Sequence, residues 1–498
     1  MRGESTSDHS VIVVGGGPTG IMLAAELALV GVDVAIIERR RNQDVVGSRA
    51  GGLHSRTIEV LDQRGIADRF LSVGHMAQVA GFSQIRLDIS AFPTRHPYGL
   101  ALWQSHIERL LAEWAEELNV SFYREYEVTG VSQDAAGVDV QVSGDRSLRA
   151  DYLVGCDGGR SAVRKSMGIE FPGWDPTMSY LLAEVDMPCE PGRMPSWGIR
   201  HDTLGVHSMG QSQEDGPVRI MVTEQHLVRD DEPGLNDLSA ALVAAYGTDY
   251  GIHSPRWVSR STDMTRQAAT YRDRRVLLAG DAAHIHHPIG GQGLNTGVQD
   301  AVNLGWKLAH VVTGSSPESL LDSYHTERHP VAARVLRSTM AQLALLRHPA
   351  DDRTKALRDM MSELLSMDEP RRSFAGMMSG LDIRYDLGDG HPLLGRRMPD
   401  VDLVVDDRHV RAFTLLHTGR GVVFDFGDNA SLDVAGWAGR VASVDATYVG
   451  DWELPVSGKV AAPSAVLVRP DGYVAWVGDG NDAGLADALT RWFGSPRR

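Results

Sequence analysis

The sequence predicts an α/β protein: a Rossmann-like dinucleotide-binding domain, an antiparallel-sheet layer set into it, and a separate, smaller α/β unit at the C-terminus. Three observations predict this. A βαβ pattern opens the chain, short alternating runs broken by Gly, Pro and Asp extend from about Tyr180 to Thr265, and the pattern resets after Pro392. The expected divisions are 1–180 for the first part of the cofactor domain, 181–265 for the sheet layer, 266–390 for completion of that domain with a helical region, and 391–498 for the last unit. A chain of 498 residues is long enough for two or three domains with large buried cores.

Val11 to Val14 read as a buried strand, Pro18 suits a first helical position, and Ile21 to Val30 form an apolar helix closed by Gly31. Val32 to Ile37 give a second strand ending at Glu38. Gly15, Gly17 and Gly20 stand at Gly-x-Gly-x-x-Gly spacing, with Thr19 inside the turn. Missing side chains there let backbone N–H groups approach a pyrophosphate at a helix N-terminus. Glu38, followed by Arg39, lies where a carboxylate accepts hydrogen bonds from an adenosine ribose and repels a 2′-phosphate. Further on, Ser105 to Asn119 read as a helix, with Ser105 and Glu108 as a capping box and Ile107, Leu110, Leu111, Trp114 and Leu118 on one face.

Tyr152 to Gly155 form a short buried strand that ends at Cys156-Asp157-Gly158, and Val218 to Thr223 typify the alternating runs of the sheet layer. Val276 to Ala279 are strand-like, Gly293 to Val312 are helical, and Pro330 to Met367 are mostly helical. In the last unit Val422 to Phe426, Val441 to Val444, Ala465 to Val468 and Val474 to Val477 read as strands.

Composition narrows the function. With 65 acidic against 49 basic residues the formal charge is −16, and no basic cluster suggests nucleic acid; Arg39-Arg40-Arg41 reads as a solvated strand end. No apolar run has the length of a membrane span and Met1 to Ser10 are polar, so a cytoplasmic protein is expected. Cys156 and Cys189, without Cys-x-x-Cys spacing, support neither a disulfide framework nor a metal site.

Asp281 follows the strand that ends at Ala279, and Pro288, Gly290, Gly291, Gly293, Leu294 and Asn295 make a loop into the next helix. That arrangement would set a carboxylate on the ribityl hydroxyls of a flavin and a helix N-terminus at its pyrimidine, where reduction builds negative charge. Together with the first βαβ unit it points to FAD, held non-covalently because nothing marks an attachment residue.

Gly15 to Gly20 with Glu38, Cys156 through Arg164, and Gly280-Asp281-Ala282-Ala283-His284 through Pro288 and Gly293-Leu294-Asn295 resemble the three motifs of the class A flavoprotein monooxygenases. Ser48-Arg49 to Gly65, Leu321 to Pro330 and Arg469 to Trp476 resemble the bacterial aromatic polyketide hydroxylases that act on angucycline, anthracycline and tetracycline skeletons. The likeness spans essentially the whole chain. It implies that Arg49 contacts the FAD phosphates, that Gln104 bonds the ribityl region, and that Asp157 and Gly158 contact FAD and NAD(P)H. No second dinucleotide fingerprint follows a strand, which matches the class A enzymes; the resemblance implies NADPH or NADH as a transient reductant and O2 as co-substrate, with a flavin C4a-hydroperoxide as the oxidant. The C-terminal unit resembles a thioredoxin-like domain that lacks Cys-x-x-Cys.

The implied function is hydroxylation of a polycyclic aromatic polyketide in antibiotic biosynthesis or modification, by a monomer or homodimer. Baeyer–Villiger oxygenation of a carbonyl and a non-catalytic, auxiliary flavoprotein are the alternatives. Arg384, between the helical region and the last unit, is the candidate catalytic side chain that would stabilise a substrate phenolate, against a structural ion pair with Asp382 or Asp386.

Overall fold

The computed structural model describes residues 7–44, 47, 50–188, 197–202, 204–211, 216–228, 232–346, 352–427 and 432–497. The His9–Val14 strand pairs in parallel with Val34–Glu38 on one side and Arg146–Gly155 on the other, and the latter pairs in parallel with Val276–Leu278. These strands form the centre of an eight-stranded sheet. Val11, Ile12 and Val13 are fully buried in it, as are Leu153 and Val154, so the continuous apolar runs reflect a sheet covered on both faces. The carboxyl ends of the four strands stand side by side, and each runs into one of the singled-out segments: Gly15, Glu38, Cys156 and Gly280. Ligands of open α/β sheets bind at that edge.

The Pro18–Leu29 helix covers one face and packs against Gln292–Val312. Close approach is possible because the second helix presents glycine at the contact: a Cβ on Gly297 would lie 2.3 Å from Thr19 Oγ1, and one on Gly305 would lie 2.6 Å from Glu26 Cβ.

The expected antiparallel layer is a five-stranded sheet in which Ser179–Asp186 is flanked by Val218–Thr223 and His253–Thr262. Leu181, Ala183 and Val185 on one face pack against a helix, Leu235–Tyr246, that the alternating pattern of the surrounding strands conceals. Leu238, Leu242 and Ala245 form its buried stripe, Asp237 accepts from the Gly234 amide at 2.7 Å, and Gly247 closes it at φ +77°. The opposite sheet face stays open, with Tyr180, Leu182 and Met221 lining a cavity.

Two further expectations are corrected. The predicted Ser105 helix starts at Gln104 after an uncapped Trp103, because Glu108, 1% exposed, pairs with Arg40 at 2.9 Å instead of capping. The helical region starts ahead of Pro330 as Asp322–Leu346 and continues as Asp352–Ser366 and Asp368–Ser379.

The last unit holds a four-stranded sheet in the order Val441–Asp445, Gly421–Asp425, Ala465–Val468, Val474–Gly478, parallel for the first pair and antiparallel for the others, followed by the Leu485–Phe493 helix. Its core takes in Trp306 from the Gln292–Val312 helix. Buried ion pairs join the units as well: Glu327 accepts from Arg469 at 2.6 and 2.9 Å and from Lys307 at 2.8 Å. Burial would raise the Glu327 carboxyl, but Arg469 and Lys307 outweigh it and hold the group at about 2.

Candidate FAD site and adjoining cavity

The glycine turn divides its work between packing and openness. Gly15 has φ +105° and a Cβ there would meet the Cys156 carbonyl oxygen at 2.4 Å, while one on Gly20 would meet the Gly15 oxygen at 1.9 Å. Gly17, by contrast, faces open space, as does Gly158 across the strand edge. Gly17 caps the Pro18–Leu29 helix without a side-chain acceptor, so the first amides of that helix are directed at the open groove. Glu38 stands beside it, 6% exposed, accepting from the Gly16 amide at 2.7 Å and the Arg40 amide at 2.8 Å. Burial pushes the Glu38 carboxyl up, but Arg40 and the Gly16 amide pull it below its ordinary value, so it is ionised and retains acceptor capacity. Arg39 is exposed; the neighbouring Arg40, expected as part of a solvated strand end, is instead the guanidinium drawn into the turn, donating to the Gly16 carbonyl at 2.9 Å and to Glu108.

Asp157 uses Oδ2 to accept from the Ala162 and Val163 amides at 2.6 and 3.2 Å, while its buried Oδ1 has no partner among the described residues. Arg164 then ties this segment to the next, donating to the Gly159 and Ala282 carbonyls at 2.8 Å each. Its role is a clamp between two motifs that meet only in the fold. Gly280 adopts φ +61° with Thr19 Oγ1 at 2.7 Å from where its Cβ would be, so Thr19 serves packing between the turn and two helices. Asp281 is exposed at the mouth of the groove, near Gly293.

Beneath this turn lies a buried polar centre that the sequence did not reveal. Asp300, fully buried, accepts from the Gly280 amide at 3.2 Å, from His284 Nε2 at 2.7 Å and from Arg328 Nε at 2.7 Å. Burial alone would raise the Asp300 carboxyl, yet Arg328 and His284 hold it below its usual value. A sequence signal existed in retrospect only as an acid placed on the apolar face of a helix.

Gly290 and Gly291, at φ +76° and +64°, turn the chain into the Gln292–Val312 helix, whose N-cap carries no side-chain acceptor. Pro288 is exposed, and Gly293 and Leu294 are half-buried at the helix start. Asn295 acts as a brace: its Oδ1 accepts from the His54 amide at 2.8 Å and its Nδ2 donates to the Gly291 and Gly52 carbonyls. Gln104 likewise is engaged with protein, donating to Glu108 at 2.8 Å and accepting from the Ala50 amide at 3.3 Å. Arg49 lies outside the described residues, as does Cys189. Cys156 is a free, half-buried thiol whose pKa desolvation pushes well up, which suits packing rather than reactivity.

The Pro288–Gly290 loop also borders the cavity on the open face of the five-stranded sheet. Its volume is about 610 Å³, and Trp103, Leu182, Met221, Trp257 and Leu343 make it largely apolar. Arg219 stacks over the Trp103 ring at 3.4 Å while donating to Glu184 at 3.1 Å. A second cavity of about 790 Å³ shares Tyr180, Val206, Leu343 and Leu346 with the first. Spaces of this size accept ligands of drug dimensions.

Arg384 is not in that wall. It is exposed and donates to the Leu394 and Gly388 carbonyls at 3.2 and 3.3 Å, and Asp382, one of its two expected partners, pairs with Arg334 at 2.8 Å. Arg384, expected to stabilise a phenolate, is thus bound to local carbonyls and does not line this cavity. Arg384→Ala is expected to leave turnover unchanged and to shift stability by under about 0.5 kcal/mol, read from steady-state rates and thermal melting.

A turn open for a pyrophosphate, an ionised carboxylate beside it, a distant Asp-bearing turn brought to the same edge and an adjoining apolar cavity define an FAD-dependent monooxygenase of the aromatic hydroxylase class. The chain belongs to the family of the FAD binding domain, whose pattern matches residues 8–339, and residues 391–496 match the aromatic-ring hydroxylase C-terminal domain. Among relatives, the rifampicin monooxygenase of Streptomyces venezuelae is 44% identical over 498 residues, covering 97% of this chain and 98% of its own. Solved structures with the same architecture include OxyS, the anhydrotetracycline hydroxylase from Streptomyces rimosus (TM-score 0.91, 43% identity, 98% and 99% coverage), and CabE, an aromatic hydroxylase from angucycline biosynthesis (TM-score 0.90, 43% identity, 99% and 100% coverage).

Proposed function

We propose that the protein hydroxylates a polycyclic aromatic polyketide, using FAD, a nicotinamide reductant and O2, in antibiotic biosynthesis or modification. The observation that carries this reading is the cavity of about 610 Å³, apolar and bordered by the loop that enters the flavin-side helix. When bound, FAD supplies the redox chemistry that activates oxygen. The protein's part is binding, orientation and exclusion of water. The Gly15 to Gly20 turn and Glu38 would hold the adenosine diphosphate half, Asp281 the ribityl chain, and the helix that starts at Gln292 would present its positive end to the pyrimidine. Trp103, Leu182 and Trp257 would sandwich the aromatic skeleton and keep the reacting face dry.

The order of the last unit's four strands, with one parallel and two antiparallel pairings and a closing helix, supports a thioredoxin-like architecture used structurally, as no Cys-x-x-Cys is present.

The test is a screen of polyketide aglycones for stimulated NADPH consumption, followed by product NMR. Hydroxylation moves no carbon–carbon bond, whereas a Baeyer–Villiger product carries oxygen inserted beside a carbonyl; unstimulated NADPH oxidation with every aglycone would leave only the auxiliary flavoprotein. Asp281→Ala is expected to weaken FAD binding by about 1.5–3 kcal/mol, the contribution of a charged acceptor. Titration of the FAD-stripped protein measures it, and an unchanged dissociation constant would remove Asp281 from the site.

A further inference from the structure

His287 occupies the stretch of cavity wall immediately before Pro288, Ile289 and Gly290, which also line it. It is 6% exposed and meets the Tyr180 ring edge-on at a centroid distance of 4.6 Å. Its Nδ1 accepts from the Ile289 amide at 3.1 Å, and an imidazole that accepts through Nδ1 carries its proton on Nε2. Burial, with His286 adding to it, lowers His287 to about 4, so the ring is neutral and this tautomer persists at physiological pH. Nε2 has no hydrogen-bond partner among the described residues.

Two other polar side chains in the wall are already engaged. Ser83 donates to Gln342 through both its amide, at 3.1 Å, and its hydroxyl, at 3.2 Å, and Arg219 is committed to Glu184 and the Trp103 ring. An N–H that lies in a cavity wall without a protein acceptor is open to an acceptor brought by the ligand.

We infer that His287 donates a hydrogen bond from Nε2 to a phenolic or carbonyl oxygen of the aromatic substrate, and so selects which edge of the ring system faces the flavin-side loop. The inference rests on the reading of this cavity as the aromatic-substrate site. A substrate oxygen held at Nε2 sits beside Pro288–Gly290, so the ring carbon next to that oxygen is the one brought to the cofactor. A neutral donor there would also stabilise a substrate phenolate, the role expected of Arg384, which does not line this cavity.

The experiment compares 9-phenanthrol with 9-methylphenanthrene, matched tricyclic probes differing by a hydroxyl for a methyl, by equilibrium dialysis against the FAD-loaded full chain. Wild type and His287→Gln, which keeps an N–H donor, are expected to prefer the phenol about tenfold, and His287→Phe to lose that preference while binding the methyl compound as before. FAD content and melting temperature accompany each variant, with His287→Leu replacing His287→Phe if the larger ring disrupts folding. Retention of the preference in a folded variant without a donor overturns the inference alone. Failure of the wild type to bind either probe overturns both the aromatic-site reading and the inference that depends on it.

Discussion

Gly20→Ala is expected to yield a protein that neither retains FAD nor folds well, although helix propensity taken alone favours alanine by about 1 kcal/mol at a helical position. The sign reverses because the added Cβ would lie 1.9 Å from the Gly15 carbonyl oxygen and 3.3 Å from Cys156 Cβ. The first of these is backbone in a turn whose own Gly15 is held against the Cys156 carbonyl, so relief requires the Pro18–Leu29 helix to lift from the strand edge. That movement would displace the uncapped amides from the pyrophosphate position. Overpacking of this kind typically costs about 1–3 kcal/mol, and a clash with backbone belongs at the upper end. Soluble yield, visible FAD content and thermal unfolding read the outcome; a yellow Gly20→Ala protein with wild-type stability would mean that the turn is looser than its contacts indicate.

Asp300→Ala is expected to destabilise the fold by about 3–5 kcal/mol, the range for removing one partner of a buried ion pair. Arg328, wholly buried, would lose its carboxylate and keep, among the described residues, only the Tyr385 hydroxyl and the Thr296 carbonyl, both at 3.2 Å. His284 and the Gly280 amide would lose their acceptor at the same time. FAD affinity is therefore expected to fall along with stability, since the turn that bears Asp281 rests on this carboxylate. Asp300→Asn, which retains an acceptor for the Gly280 amide but removes the charge, should lie between alanine and wild type. Denaturant unfolding and FAD titration on the same variants measure the two effects; a fall in stability with FAD affinity untouched would show that Asp300 holds the core and not the turn.

Local patterns carried the cofactor half of the fold into view. The strands at Val11 to Val14 and Val276 to Ala279, with the glycine turn and Glu38, lie close to their expected ranges, and the Tyr152 to Gly155 run is the buried end of a longer strand, Arg146–Gly155, because apolar runs and turn chemistry act over a few residues. The Leu235–Tyr246 helix was hidden, since its apolar stripe lies among strand patterns of similar composition. The Ser105–Glu108 capping box failed for another reason: a carboxylate that can reach a guanidinium in a buried setting takes the stronger, charge-assisted partner.

Gly15, Gly17 and Gly20 ahead of a helix, and a carboxylate at the end of the next strand, determined by themselves that this chain builds a dinucleotide groove; each requirement is met by backbone shape within one βαβ unit. Only the tertiary structure decided which polar side chains face the cavity and which hold the frame. Asp300 meets Arg328 and Gly280, and His287 meets Tyr180, because sheet and helix packing bring separate segments together. Arg384 and His287 are equally plausible as letters in a sequence; burial against a cavity, with one nitrogen engaged and the other unpartnered, separates a ligand-facing group from a surface charge satisfied by nearby carbonyls.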